Sequence, residues 1–475
     1  MKYISTRGDA RVNFSEGVLL GLTPKGGLLV PETFPHYSNT DLEEMRNMSY
    51  RELALRIIKE FAEDIPLEDL KRIIEKSYSK EIFKSDEIVT LKKVEEKVFI
   101  LELFNGPTLA FKDIALQFLG NMFEYILQKE NKLVNILVAT SGDTGSAAIY
   151  GTRGKNNIKT FVLTPFGKMS KFQTAQMYSV IDDNVFNVAV EGNFDECQSM
   201  VKAVSEDSDF KTKYHLGYMN SINWCRILSQ IVYYAKGVFD VQKESNLNIN
   251  SEIDIVVPTG NFGNILAGYY AKKMGIPIRN LILATNENDV LDIFFKTGNY
   301  KTRKKDEVMV TDSPSMDIAS ASNFERFIFD VVEENPETVT TLWKEVKENG
   351  QFNLAKTKYF QNIKKCGIIS GSAKKENRYK IIKEVYENTY YIIDPHTANG
   401  VFLAKIFKSD EPLLCLATAS PIKFEETMKE ILGNDLIFKR PKEYENLEEK
   451  PQKFIKIDAG DIEKLKKIIE ENSIR

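Results

Sequence analysis

From about residue 89 onward, short runs of apolar, often β-branched residues alternate with longer stretches whose apolar residues recur every three or four positions. Runs of the first kind suit strands buried on both faces and stretches of the second kind suit amphipathic helices, so the alternation predicts a parallel sheet covered on both sides. The predicted strands are Val98–Phe104, Leu133–Ala139, Thr160–Leu163, Val185–Val190, Ile253–Val257, Leu281–Ala284 and Leu413–Ala417. Residues 1–88 differ. After a short segment ending in Gly26-Gly27-Leu28-Leu29-Val30-Pro31 they become helical and charged, with amphipathic spacing over Tyr50–Asp64 and Leu67–Ser77. The polar stretch Asn246–Glu252, which follows a helical pattern over Ser221–Phe239, is expected to cross between two halves of the sheet, leaving a cleft where ligands bind. Residues 297–323 are polar and weakly periodic and predict a long loop of functional or linker character. A last strand and helix are expected over Phe454–Glu471.

Composition narrows the function classes without choosing one. The chain has 475 residues, 43% hydrophobic and 28% charged, and a net charge of -4, which offers no handle for nucleic acid or a membrane surface. The basic cluster Lys301-Thr302-Arg303-Lys304-Lys305 is followed by Asp306 and Glu307 and reads as a solvated loop. Cys197, Cys225, Cys366 and Cys415 form no CxxC pair, so neither disulfides nor a metal site is expected. Charges at Arg7, Asp9, Arg11 and Glu16 argue against a signal peptide, and no stretch has the apolar length of a membrane helix. A soluble cytoplasmic protein is expected.

Candidate chemistry begins at Leu101-Glu102-Leu103-Phe104-Asn105-Gly106-Pro107-Thr108-Leu109-Ala110-Phe111-Lys112-Asp113. The strand is stopped by Asn105, Gly106 and Pro107, and a helical pattern starts near Ala110, which puts Lys112 in a first helical turn. The positive end of the helix dipole disfavours an ammonium there, so Lys112 loses its proton more readily than a surface lysine, as a Schiff-base lysine must. A solvated lysine would carry the same local signature.

Two further strands run into small-residue turns. Ser141-Gly142-Asp143-Thr144-Gly145-Ser146 brings backbone N–H groups and hydroxyls to one point, fit for a carboxylate or phosphate, or else caps the next helix. Gly260-Asn261-Phe262-Gly263-Asn264 lets the backbone approach a ligand at the start of a helix, without the endings of a Walker loop or a dinucleotide fingerprint. Asn220-Ser221-Ile222-Asn223-Trp224-Cys225-Arg226 predicts a helix from near Ser221 with Asn223 and Arg226 on one face; it holds an oxyanion, or is a cap beside a surface arginine. Lys168 could add positive charge from a loop after a strand. His396, in Asp394-Pro395-His396-Thr397-Ala398, stands alone among three histidines in lying within a motif, and a structural role suits it as well as a catalytic one.

Taken together, Phe111-Lys112-Asp113, the Ser-Gly-Asp-Thr-Gly turn, the Gly-Asn-Phe-Gly-Asn turn and the Asn-Ser-Ile-Asn-Trp stretch resemble the threonine synthase family in its long bacterial and fungal form. The resemblance runs over most of the chain. It implies the tryptophan-synthase-β-like α/β fold (fold type II), with two open sheets flanked by helices. The implied domains are an N-terminal, mostly helical one over 1–88, a large cofactor-binding one over 89–129 and 250–450, a smaller mobile one over 130–249, and a strand-helix segment over 451–475. It further implies pyridoxal 5′-phosphate as cofactor, no metal, and a small-molecule substrate handled by a monomer or homodimer.

Residue by residue, Lys112 matches the Schiff-base lysine and catalytic base. Gly260, Asn261, Phe262, Gly263 and Asn264 match the loop for the cofactor phosphate, Thr418 the hydroxyl facing the pyridine nitrogen, and Asp143 a side chain near the cofactor's 3′ oxygen. Ser141, Thr144, Lys168, Asn220, Ser221 and Arg226 match positions around the substrate's carboxylate and phosphate. The chain departs from many long-form members at Ser420 and Ile422, where those have histidine and alanine. The implied reaction is that of a carbon–oxygen lyase turning O-phospho-L-homoserine and water into L-threonine and phosphate, the last step of threonine biosynthesis. Alternatives are a phospholyase releasing 2-oxobutyrate from the same substrate, a threonine dehydratase, which would leave one anion site unused, and a catalytically silent ligand-binding relative.

Overall fold

All seven predicted apolar runs form parallel strands, and they fall into two sheets. The structure, a computed structural model, describes residues 1–217, 219–407 and 410–474. The Lys305 side chain of the basic cluster also lies outside the described residues, as do Tyr218, Lys408, Ser409 and Arg475 within the expected domain ranges.

The larger sheet runs in the order Ile368–Ser372, Ile278–Thr285, Ile253–Pro258, Leu413–Ala417, Val98–Glu102, Thr90–Glu95, and only the last pair is antiparallel. Alternate residues of its strands enter two different cores. Leu101, Leu414, Leu416, Ile255 and Val257 pack with helices from the N-terminal region, whereas Ile100, Cys415, Ala417 and Val256 pack under Lys375–Thr389 and Pro395–Ile406. That double burial is why these runs are continuously apolar. The smaller sheet, Ile455–Asp458, Val185–Glu191, Ile158–Pro165, Val134–Ala139, Leu216–Gly217, is parallel throughout.

Three expectations are revised. The chain leaves the smaller sheet at Gly217, before the helix Trp224–Glu244, and that helix packs on Gly263–Lys273, Lys112–Lys129 and Tyr50–Ile58. Asn246–Glu252 therefore leads from this helix into the strand Ile253–Pro258 and is not the crossing between sheets. The N-terminal helix begins at Tyr50 as expected but ends at Ile58, with Ser49 and Glu52 forming a reciprocal cap at its start. Residues 297–323 are not a bare loop: Asn299–Lys301 pairs with Gln351–Asn353, and Pro314–Met316 forms a turn of 3-10 helix.

The helices that start at Lys112 and Asp143 touch through glycines. A Cβ on Gly120 would come within 1.9 Å of the Gly151 carbonyl oxygen, and one on Gly151 within 2.5 Å of the Leu116 oxygen. Neither backbone can yield without moving a whole helix, so the two glycines set the spacing between Lys112 and Asp143. Gly120→Ala is expected to cost about 1–3 kcal/mol or more by overpacking. A melting temperature equal to wild type in thermal unfolding of the full-length protein would refute this.

Candidate active site

The lysine, Ser-Gly-Asp-Thr-Gly and glycine-turn motifs each follow the C-terminal end of a parallel strand, which is where open α/β sheets bind ligands. After Val98–Glu102, the turn at Asn105–Thr108 is stitched by Asp113: Thr108 N–H and Oγ1 both donate to its carboxylate at 2.7 Å. Burial raises the Asp113 carboxyl to about 6 against those hydrogen bonds. Gly106 is required because a Cβ would meet the Asp113 Cβ at 2.4 Å. Leu109 takes a left-handed φ of 59°. It is held there because Ser420 N–H donates to Leu109 O and Phe111 N–H donates to Thr418 O, across the bridge Ala110–Ala419. Lys112 then opens the helix Lys112–Lys129, as predicted.

Lys112 Nζ lies 3.4 Å from Ser315 Oγ and 3.9 Å from Asp143 Oδ2. Burial lowers its pKa to about 8, with Arg226 and Lys423 adding to the effect and Asp143 opposing it. Asp143, the first residue of the helix Asp143–Thr152, receives Lys423 Nζ at 2.8 Å and Gln173 Nε2 at 3.1 Å, both on Oδ1. Burial by itself would raise Asp143, but the Lys423 and Lys112 charges outweigh it and hold the carboxyl far below its usual range. Lys423 is fully buried and also donates to Thr108 O at 2.7 Å and Gln176 Oε1 at 3.2 Å.

The glycine turn after Ile253–Pro258 is packed tightly from outside. A Cβ on Gly260 would come within 2.6 Å of the Ser315 oxygen. Phe262 holds φ at 63° because its ring is buried among Phe295, Phe324 and Phe327, so this side chain is an anchor for the turn. Asn264 Oδ1 accepts hydrogen bonds from Tyr233 at 2.5 Å and Tyr234 at 2.9 Å. Its Nδ2 is buried and has no partner among the described residues.

Arg226 is the second orphan. The residue is 5% exposed, its Nε and Nη1 have no hydrogen-bond partner among the described residues, and burial lowers its pKa to about 10. A buried charge left unpaired is costly, so this arrangement suits an anion brought in from outside. The helix bearing it begins at Trp224, not near Ser221; Asn223 is its cap, accepting from Cys225 N–H and donating to Val18 O. Asn220 and Ser221 therefore sit on the preceding segment. That segment is tied to the glycine turn through Asn323, whose Nδ2 donates to Ser221 O and whose N–H donates to Asn261 O. Arg326, fully buried, donates to Asn323 Oδ1, to Ile222 O and to Leu29 O of the N-terminal region.

Of the expected residues, the structure thus brings together Lys112, Asp143, Arg226 and the backbone of Thr418, with the turn Gly260–Asn264 linked to them through Ser315 and to Ser221 through Asn323. Ser141 is exposed and Thr144 half-buried at the start of the Asp143 helix. Lys168 is exposed after Ile158–Pro165, and among the described residues no hydrogen bond or ion pair joins its side chain to the others. Lys423, Ser315, Gln173 and Asn323 were missed. Lys423 lies in the very stretch where the sequence departs from its resemblance, and Ser315 in the segment expected to be functional loop.

The chain as a whole is similar to known proteins. The family models Threonine synthase N terminus, Pyridoxal-phosphate dependent enzyme, and Threonine synthase, C-terminal match residues 2–78, 81–345 and 397–469. The chain is 47% identical to a threonine synthase of Methylobacillus glycogenes over 97% of both chains. Its fold is similar to that of a PLP-bound threonine synthase from Brucella melitensis, with TM-score 0.94, 36% identity and full coverage of both chains. Likeness to the yeast threonine synthase structure gives TM-score 0.92 at 40% identity, covering 99% of this chain and 98% of that one. The chain belongs to the threonine synthase family of pyridoxal-phosphate-dependent enzymes.

Proposed function

We propose that this enzyme converts O-phospho-L-homoserine and water to L-threonine and phosphate. The observation that carries the assignment is a largely enclosed lysine with an easily lost proton, near enough to a buried, unpartnered arginine for that charge to depress it. One group suits a carbonyl cofactor and an acid–base cycle, the other a phosphate.

The residues present fit pyridoxal 5′-phosphate. Lys112 would hold it through its amine, and the turn Gly260–Asn264, with the orphaned Asn264 Nδ2, would hold its phosphate. Thr418 would face the pyridine nitrogen and Asp143 the 3′ oxygen. When bound, the cofactor supplies an electron sink for the charge that builds at Cα. Lys112 Nζ, once free, takes the Cα proton, hands it on, and is neutral again when it takes a proton from Cβ. Asp143, kept ionised by Lys423, stabilises the ammonium that results. Arg226 binds the phosphate that leaves from Cγ, and Asn220, Ser221, Ser141 and Thr144 orient the substrate's anionic groups. Delivery of a proton to Cγ, addition of water at Cβ with its remaining proton passing to the released phosphate, and return of a proton from Lys112 to Cα complete the product. A cytoplasmic location and a monomeric or homodimeric state go with this assignment.

Lys112→Ala is expected to abolish both turnover and the visible absorbance of the bound cofactor. Measured threonine formation at the wild-type rate would end the assignment, and 2-oxobutyrate as main product of the wild type would replace it with the phospholyase. Arg226→Ala is expected to lower kcat/KM for phosphohomoserine by roughly 10- to 150-fold, the equivalent of losing a charged hydrogen bond of about 1.5–3 kcal/mol. Cofactor affinity should stay near wild type, as titration of the cofactor-free protein would show. Cofactor capture should quicken with pH as Lys112 deprotonates, with a midpoint near its pKa of about 8. Lys423→Met removes a charge that lowers Lys112 and leaves Asp143 to Lys112 alone. Both changes raise the lysine's pKa, so stopped-flow absorbance should find the midpoint at higher pH.

A further inference from the structure

Ser315, in the turn Pro314–Met316, reaches the site in three directions at once. Its N–H donates to His396 Nε2 at 3.1 Å. Its carbonyl oxygen occupies the space beside Gly260 that a Cβ there would need, at 2.6 Å. Its hydroxyl stands 3.4 Å from Lys112 Nζ and donates to Asp143 Oδ2 at 3.3 Å.

The first of these contacts fixes the state of the histidine. A ring nitrogen that accepts a hydrogen bond carries no proton, so the proton of the neutral His396 ring is on Nδ1. There it meets Asp394 Oδ2 at 2.7 Å. Asp394 is itself immobile, because it caps the helix Pro395–Ile406 and accepts from the N–H groups of His396 and Thr397 and from Thr397 Oγ1. The ring is buried against Phe424. The turn is braced on its other side as well: Asn286 Nδ2 donates to Ser313 Oγ at 3.0 Å and Asp317 Oδ1 at 2.7 Å. The buried motif at 394–398 therefore ends at Ser315, and through it at both halves of the cofactor site.

We propose that His396 and Ser315 are positioning residues. Asp394 orients the His396 ring, His396 holds the Ser315 backbone against Gly260, and the Ser315 hydroxyl holds the Lys112 amine beside Asp143. The backbone contact shapes the turn that seats the cofactor phosphate, and the hydroxyl contact places the lysine. This rests on the assignment of Lys112 as the cofactor lysine.

The two contacts separate by substitution in the full-length protein. Ser315→Ala keeps the backbone and loses the hydroxyl: kcat should fall at least tenfold while KM and the dissociation constant for pyridoxal phosphate stay within threefold. His396→Asn retains a polar partner for Asp394 but no acceptor at the Nε2 position. It should raise the cofactor dissociation constant at least tenfold, read by absorbance titration of the cofactor-free protein. His396→Gln restores an acceptor there and should bring that constant back within threefold of wild type. A Ser315→Ala enzyme with kcat within twofold of wild type overturns the hydroxyl's role. Equal cofactor affinity in His396→Asn and His396→Gln overturns the backbone role, and if His396→Asn does not fold, failure of His396→Gln to bind within threefold of wild type does so. Lys112→Ala tells the two levels apart. If it retains turnover, the cofactor-lysine assignment fails; if it is inactive while the other variants behave as wild type, only the positioning roles fall.

Discussion

Asp143 lies between two lysines, and a carboxylate buried there stays ionised only because positive charge is close by. The two partners are not equivalent. Lys423 is fully enclosed, with three oxygen acceptors that leave its ammonium nothing to gain from moving. Lys112 is held more loosely, at 3.9 Å, and is the one whose proton is easily given up. One lysine thus keeps the carboxylate charged whatever the protonation state of the other. The acid–base role proposed for Lys112 needs such a neighbour: close enough to steady the ammonium, yet not so strongly bound to it that deprotonation stops.

That electrostatic arrangement depends on backbone placement. The helices that begin at Lys112 and Asp143 come together at Gly120 and Gly151, where no side chain intervenes. The approach to Lys112 is clamped on the stretch 418–420, which leads directly to Lys423. The three charged groups therefore stand on elements whose mutual distances are set by main-chain contacts, and long flexible side chains have little distance to cover.

Fold and site were legible to different depths. The strands buried on both faces were visible as continuous apolar runs, but the two at the edges of the larger sheet were not. Thr90–Glu95 carries two lysines and a glutamate among its apolar residues, and Ile368–Ser372 is interrupted by Gly371, where an added Cβ would come within 2.8 Å of Leu403. Edge strands carry such residues because a charged or broken edge resists further pairing. Lys112 and the glycine turn were readable because a helix start and a close approach of backbone leave local marks. Lys423 and Ser315 were not, since what matters about them is a contact with residues far along the chain, and a lysine after Pro421-Ile422 has no periodicity to betray it. The start of the Trp224–Glu244 helix was misplaced for a related reason: Asn223 suits a helical face as readily as a cap, and its bond to Val18 O decides between them.

Arg326 gives the N-terminal region a part in all this. Its one guanidinium grips a carbonyl from the first thirty residues, a carbonyl from the segment before Arg226, and the amide that joins this segment to the glycine turn. The N-terminal region, whose strand Leu29–Pro31 supplies the first of these carbonyls, consequently braces two segments of the candidate site. Excising it would not yield a smaller, self-sufficient enzyme, because the remainder would lose the abutment against which those two segments are set.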